Sequence, residues 1–190
     1  LITAIAIKLT SKGPIIFKQE RIGYHGKPFM MYKFRSMKVQ NPNEEKSEWT
    51  TKDDPRKTRV GNFIRKTSID ELPQVINVLL GEMSFIGPRP DTPIGSAAYT
   101  EEEKIVLTVK PGITGYNQAV NRNSVLTKEK LKNDIYYVKN LSFALEVRII
   151  LMTIMTVLGH KNINRSEIDK SGSYIVDSNG KKSNEDLFKK

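Results

Sequence analysis

The segment from Phe143 to Leu158 constrains the fold more than any other, because its side chains are almost continuously apolar. Ser142 before it is a candidate N-cap and Gly159 after it is a helix stop, so the pattern predicts one long helix. Its apolar arc extends to positions 149, 152 and 155, which is wider than a surface helix needs. Such a helix is either buried in a core or laid along a lipid surface, and the pattern leaves both interpretations open.

The first ten residues present the same choice. Apolar residues dominate from Leu1 to Ile7, Lys8 interrupts them, and Gly13-Pro14 predicts a helix end. This segment is too short to span a bilayer, which needs roughly 20 residues. It is therefore either a short amphipathic core helix or the last part of a membrane-inserted helix.

Shorter elements are predicted in the rest of the chain. Two strands, 15–17 and 29–37, are expected around a turn, and a polar surface loop follows them at 38–57. Apolar residues at helical spacing predict further helices. These helices are expected at 58–65 (Thr58 as cap; Val60, Phe63 and Ile64 inward), 72–80 (Leu72, Val75, Ile76 and Leu79 at helical spacing, with a stop at Gly81), 100–109 (opened by a Thr100–Glu103 capping box) and 127–138. The fold class is therefore α+β, mostly helical with a small β-hairpin, and its amphipathic helices suit an interface.

Charge and composition narrow the chemistry. Lys and Arg number 31 against 21 Asp and Glu, a net charge of +10, which favours a polyanionic partner. The chain has no Cys, which excludes a thiol nucleophile and thiolate metal sites, and its two His are too few for a His-based zinc site. Carboxylates, hydroxyls and a hard cation such as Mg²⁺ remain. A nucleic-acid-binding module would share the charge, but the aromatic residues do not alternate with cations as a base-stacking platform requires.

Asp70 and Glu71 are the densest pair of candidate catalytic groups. Ser68 and Glu71 have the spacing of a capping box, but Pro73 would then fall where the helix needs its missing N–H. With Asp70 as N-cap, Pro73 falls where no donor is required. An ionised carboxylate at that position is either a simple cap or a nucleophile, and spacing alone does not decide between them.

Several cations could accompany this pair. Strand alternation predicts that Lys33 and Arg35 share one face of the second strand. Arg89 lies between Pro88 and Pro90, which stiffen its backbone and reduce the entropy lost when its guanidinium grips a phosphate.

Five blocks in this order resemble the monotopic phosphoglycosyl transferases, a family of bacterial sugar transferases. The resemblance covers Leu1 to about Gly159 and is specific because all five blocks occur together. The blocks are Phe17-x-Gln19-x-Arg21-x-Gly23, Tyr32 to Met37, Asp70 to Gln74, Gly81 to Pro90, and Pro111 to Gly115.

The resemblance implies a reaction, its partners and a location. A sugar-1-phosphate would pass from a UDP-sugar to a polyprenyl phosphate with release of UMP, at the cytoplasmic face of the bacterial cell membrane. The anionic membrane surface is thus an expected partner and nucleic acid is not. By this resemblance, 1–10 would be the end of a re-entrant membrane helix, 11–160 the catalytic domain and 161–190 a polar tail.

The resemblance also implies roles for individual residues. Asp70 would be the nucleophile and a ligand of Mg²⁺, with Glu71 as its partner. The phosphates would be bound by Lys33, Arg35, Arg89 and Arg122.

Overall fold

The computed structural model describes residues 1–39, 54–121 and 127–158. The helices in these ranges are α1 Ile2–Thr10, α2 Arg59–Lys66, α3 Gln74–Leu79, α4 Pro93–Ala97, α5 Tyr116–Asn121, α6 Thr127–Lys139 and α7 Phe143–Leu158. The strands are β1 Ile16–Ile22, β2 Pro28–Phe34, β3 Ser84–Ile86 and β4 Gly112–Thr114. The α+β fold class is confirmed. Within the described residues, no helix combines the length and the apolar content needed to cross a membrane.

Two small sheets organise the fold. Strands β1 and β2 form an antiparallel hairpin in which Phe17 is opposite Lys33. Strands β3 and β4 pair in parallel, with Ser84 opposite Gly112. The first strand is longer than predicted and the second ends earlier, while β3 and β4 were not predicted at all, since three-residue strands carry almost no periodic signal.

The core consists of small clusters between these elements. One contains Phe29, Met31 and Met83, which join β2 to the segment before β3. Another contains Ile86, Ala119, Tyr137 and Ile149, which join β3 to α5, α6 and α7. Strands β2 and β3 are therefore each anchored by apolar contacts.

Local capping was predicted correctly in several places. The Thr58 hydroxyl accepts a hydrogen bond from the Gly61 N–H at 2.8 Å and begins α2. The Ser142 hydroxyl accepts one from the Leu145 N–H at 3.3 Å at the start of α7. The capping box between Thr100 and Glu103 is also present, although the residues that follow form a 3₁₀ rather than an α-helix.

Helix α3 buries its polar side. The four apolar residues at helical spacing, Leu72, Val75, Ile76 and Leu79, are all exposed, Leu79 by 82%. The buried side of α3 carries Gln74 and Asn77 instead. Phe63, expected inward on α2, is exposed as well. The helical spacing was correct, but α3 packs against the protein through its polar side. Its apolar side is therefore exposed and open to another contact.

Helices α1 and α7 expose apolar surface in the same way. Each has one fully buried isoleucine, Ile7 in α1 and Ile149 in α7, which attaches the helix to the protein. Their other sides leave large apolar groups exposed, among them Ile2, Leu9 and Phe143, the last by 83%. Each helix therefore has one core contact and one exposed apolar side.

Candidate active site

Asp70 and Glu71 lie in a single 3₁₀ turn, Ile69–Glu71, between α2 and α3. Ser68 enters this turn with φ 58°, in the left-handed region that non-glycine residues seldom adopt. Backbone hydrogen bonds from Glu71 to Ser68 and from Leu72 to Ile69 close the turn. The two adjacent carboxylates are therefore displayed by a tight, defined backbone.

Capping does not account for this pair. Helix α3 begins after Pro73, and no side chain caps it or the 3₁₀ turn. The capping roles considered for Ser68 and Asp70 are both wrong, because the extra 3₁₀ turn separates these side chains from the first N–H groups of α3. The carboxylates are left for other interactions.

Two cations converge on one oxygen of Glu71. Its Oε1 accepts a hydrogen bond from Arg89 Nη2 at 2.8 Å and another from Lys33 Nζ at 3.3 Å. Lys33 reaches it from β2, whereas Arg89 reaches it from the loop after β3. Three distant parts of the sequence thus meet at a single carboxylate.

The pKa values of the two carboxylates are shifted in opposite directions. Burial opposes ionisation of Glu71, but the charges and hydrogen bonds of Arg89 and Lys33 outweigh it and lower its pKa to about 2. Burial and the neighbouring Glu71 charge raise the pKa of Asp70 to about 6, despite the opposing charges of Lys33, Arg65 and Arg89. Adjacent acids with separated pKa values are typical of sites in which the two groups have different tasks.

The pKa of Lys33 is shifted as well. Burial and the charge of Arg89 lower its pKa to about 8, against the attraction of Glu71 and Asp70. Glu71 therefore stays ionised at neutral pH and holds both cations, while Asp70 and Lys33 change charge near the physiological range.

The loop that carries Arg89 is fixed on both flanks. Gly112 N–H donates to the Pro88 carbonyl at 2.9 Å, and a Cβ on either Gly87 or Gly112 would collide with the opposite backbone. Arg21 Nη1 donates to the Pro90 carbonyl at 3.3 Å from β1. The side chain of Arg89 is 38% exposed, so a rigid backbone presents an accessible guanidinium.

Arg35 is held elsewhere. It is buried, and its guanidinium donates to the carbonyls of Lys12 and Ser11, the latter at 2.8 Å, just after α1. These contacts attach α1 to the hairpin, so we assign Arg35 a structural role in place of the expected phosphate contact. Strand β2 ends at Phe34, and alternation therefore no longer fixes the direction of the next side chain. Arg122 lies outside the described residues.

Two buried polar residues were missed from the sequence. Asn77 is fully buried and donates to the Met30 carbonyl at 2.8 Å and to Glu82 Oε2 at 2.7 Å. Its Oδ1 accepts from the Tyr32 N–H at 3.1 Å, directly before Lys33. Asp134 is a buried carboxylate on α6. The available signal for Asn77 was its place as the one polar residue in the sequence run from Val75 to Leu80.

Comparison with known proteins identifies the family. The family model described as bacterial sugar transferase matches residues 1–160. The chain is 41% identical over 166 residues to EpsL, an uncharacterised sugar transferase of Bacillus subtilis, covering 87% of this chain and 81% of that protein. The chain therefore belongs to the bacterial sugar transferase family.

Two relatives carry more specific names. The chain is 44% identical to the UDP-glucose:undecaprenyl-phosphate glucose-1-phosphate transferase of Escherichia coli, over 80% of this chain and 34% of that protein. It is 43% identical to the UDP-N-acetylgalactosamine-undecaprenyl-phosphate N-acetylgalactosaminephosphotransferase of Aeromonas hydrophila, over 83% and 38% respectively. The chain thus spans little more than a third of these two proteins. The net positive charge was compatible with a sugar-phosphate transferase or with a nucleic-acid-binding module. The names of these relatives agree with the transferase.

Proposed function

We propose that this protein transfers a sugar-1-phosphate from a UDP-sugar to a polyprenyl phosphate. The observation that carries the proposal is the convergence of Lys33 and Arg89 on Glu71 beside Asp70. Two fixed cations next to a pair of carboxylates suit a pyrophosphate and a nucleophile that attacks it. The names of the E. coli and Aeromonas relatives support the same class of substrates.

The reaction proceeds in two displacements. An Asp70 carboxylate oxygen attacks the β-phosphorus of the UDP-sugar, the bond from that phosphorus to the bridging oxygen breaks, and UMP leaves with the electron pair. An oxygen of the polyprenyl phosphate then attacks the same phosphorus and releases the Asp70 carboxylate. Asp70 has to be ionised for the first step, which its pKa of about 6 permits at neutral pH.

The cations act on the phosphates. Lys33 and Arg89 donate hydrogen bonds to phosphate oxygens, whose negative charge increases as UMP leaves. Glu71 holds both cations in position before the substrate arrives, because its low pKa keeps it ionised.

Mg²⁺ fits this donor set as an ion that protein and substrate oxygens coordinate together. The described residues contain no group of three or more acidic or His side chains that could enclose a metal. Mg²⁺ is usually held by one or two carboxylates together with substrate phosphates, so Asp70 would supply the protein ligand. When bound, the ion would neutralise pyrophosphate charge.

The intermediate provides the test. Wild-type protein, incubated with a UDP-sugar and Mg²⁺ without acceptor, should gain the mass of a sugar phosphate on the peptide that contains Asp70. Asp70→Asn should gain none, whereas Glu129→Gln, an exposed carboxylate on α6, should behave as wild type. UDP-glucose, UDP-galactose and UDP-N-acetylgalactosamine are the first donors to compare. UMP release without any adduct on this peptide would contradict the covalent route.

We further propose that the exposed apolar sides of α1, α3 and α7 rest on an anionic membrane at its cytoplasmic face. Their exposed side chains include Leu9, Leu79 and Phe143, and the net charge of +10 favours anionic lipid. Leu79→Ser should weaken flotation with vesicles that contain an anionic lipid. Ile94→Ser, a similar apolar-to-polar change at an exposed position of α4, is the control. Equal flotation of both variants would contradict this orientation.

A further inference from the structure

Asn77 joins α3 to the outer edge of β2, the edge that faces away from β1. Among the described residues this sheet has two strands, so no further strand pairs with that edge. There the Asn77 Oδ1 accepts a hydrogen bond from the Tyr32 N–H at 3.1 Å, and its Nδ2 donates one to the Met30 carbonyl at 2.8 Å. One residue of a parallel strand would bind the same two groups with its own C=O and N–H. The Asn77 amide therefore takes the place of a strand residue at a single point.

Asn77 is itself held by the segment before β3. Its main-chain carbonyl accepts hydrogen bonds from the N–H groups of Glu82 at 2.9 Å and Met83 at 3.2 Å. Its Nδ2 also donates to Glu82 Oε2 at 2.7 Å, and the residue is fully buried. A buried polar group whose donors and acceptor are all bound favours one arrangement of its neighbours. Asn77 therefore fixes where β2 lies against α3.

The two elements that Asn77 joins lie on opposite sides of one contact in the site. Tyr32 directly precedes Lys33 on β2, whereas Glu71 lies in the 3₁₀ turn that precedes α3. The hydrogen bond from Lys33 Nζ to Glu71 Oε1 is 3.3 Å long, at the upper end of the usual range. A small displacement of β2 against α3 would break this hydrogen bond.

We infer that Asn77 is a positioning residue that sets where the Lys33 ammonium lies relative to the two carboxylates. Asn77 acts through the backbone of β2 and touches neither substrate nor nucleophile. Without its side chain, β2 loses two hydrogen bonds at the residues that precede Lys33, and the ammonium is no longer held where the phosphates bind. This inference rests on the proposed transferase function and adds to it a residue that supports one of its cations.

The KM for the UDP-sugar separates positioning from stability. Lost stability lowers the fraction of folded enzyme and so the apparent kcat, but the folded fraction keeps its KM. A misplaced Lys33 binds the phosphates less well, so Asn77→Ala should raise KM about fivefold, less than Lys33→Met does. Leu131→Ala, which removes a buried side chain from α6 and also costs stability, should leave KM unchanged.

A double-mutant cycle shows whether the effect passes through Lys33. In a Lys33→Met background, Asn77→Ala should change KM less than about twofold, because the group that Asn77 positions is gone. An unchanged KM for Asn77→Ala in the wild-type background would overturn the role of Asn77. The same rise in both backgrounds, or an equal rise in Leu131→Ala, would overturn it as well.

Folding of each variant is checked by urea unfolding before its kinetics are measured. If Asn77→Ala does not fold, Asn77→Ser is taken through the same cycle, and failure of both to fold would assign Asn77 to the fold alone. The donor is the most active of UDP-glucose, UDP-galactose and UDP-N-acetylgalactosamine, with undecaprenyl phosphate as acceptor. A wild type inactive with all three would overturn the proposed function together with this role. An active wild type with an equal rise in both backgrounds would overturn only the role of Asn77.

Discussion

Asp70→Asn should stabilise the folded protein while it removes the proposed activity. The folded structure raises the pKa of Asp70 from 3.8 to about 6, so the native state holds this proton more tightly than the unfolded chain does. Above both values the ionised carboxylate therefore destabilises the fold. A shift of about 2 units, at 1.36 kcal/mol each, corresponds to about 3 kcal/mol at pH 7.5.

The pH dependence gives the sharper expectation. The penalty is absent below the unfolded pKa and complete only above the folded one, so at pH 4.5 it amounts to about 1 kcal/mol. Asn carries no charge at either pH. The free energy of unfolding of Asp70→Asn should therefore exceed that of wild type by about 3 kcal/mol at pH 7.5 and by about 1 kcal/mol at pH 4.5.

Urea unfolding in mild detergent measures this difference. EDTA should be present, so that no divalent cation neutralises the carboxylate. Glu129→Gln, at an exposed position, should change stability by no more than about 0.5 kcal/mol at either pH. A variant that is less stable than wild type at pH 7.5, or a gain that is equal at both pH values, would refute the account of Asp70 as a half-buried carboxylate whose ionisation destabilises the fold.

Three further outcomes follow from the site. The pH profile of kcat/KM for the UDP-sugar should be bell-shaped. It should fall below about pH 6 because Asp70 is protonated and above about pH 8 because Lys33 loses its charge. A kcat/KM that stays constant from pH 5 to 7 would contradict this. Lys33→Met should raise KM for the UDP-sugar by about 10-fold or more, since a hydrogen bond to a charged group is worth about 1.5–3 kcal/mol; steady-state kinetics at pH 7 would show it. Asn77→Ala should lower the free energy of unfolding by about 3 kcal/mol, measured with urea, because three hydrogen bonds are lost. Asn62→Ala, at an exposed position, should lower it by less than about 1 kcal/mol. Equal losses in the two variants would argue against the role of Asn77.

The sequence was most informative where structure is local. The caps at Thr58 and Ser142 depend on a hydroxyl and an N–H three residues away, so spacing alone locates them. The contact of Lys33 and Arg89 with Glu71 joins three distant segments, and no spacing rule predicts such a meeting. Asp70 and Glu71 were found as candidates, but the low pKa of Glu71 depends on those distant cations.

Helix α3 shows a second limit of prediction from the sequence. Periodicity identified the stripe that contains Leu72 and Leu79 but could not tell which side of the helix would be buried. That side is decided by partners for Asn77, namely the backbone of β2 and Glu82. An apolar stripe alone therefore does not tell which side of a helix faces the protein interior.

The shared oxygen of Glu71 uses only a small part of the hydrogen-bonding capacity of the two cations. Lys33 and Arg89 each donate one hydrogen bond to this carboxylate, whereas an ammonium has three N–H donors and a guanidinium has five. Their other donors can bind phosphate oxygens while Glu71 keeps its contacts. In the proposed reaction the two cations can therefore stay anchored throughout, so that the pyrophosphate of the donor and the phosphate of the acceptor meet the same preset donors in turn.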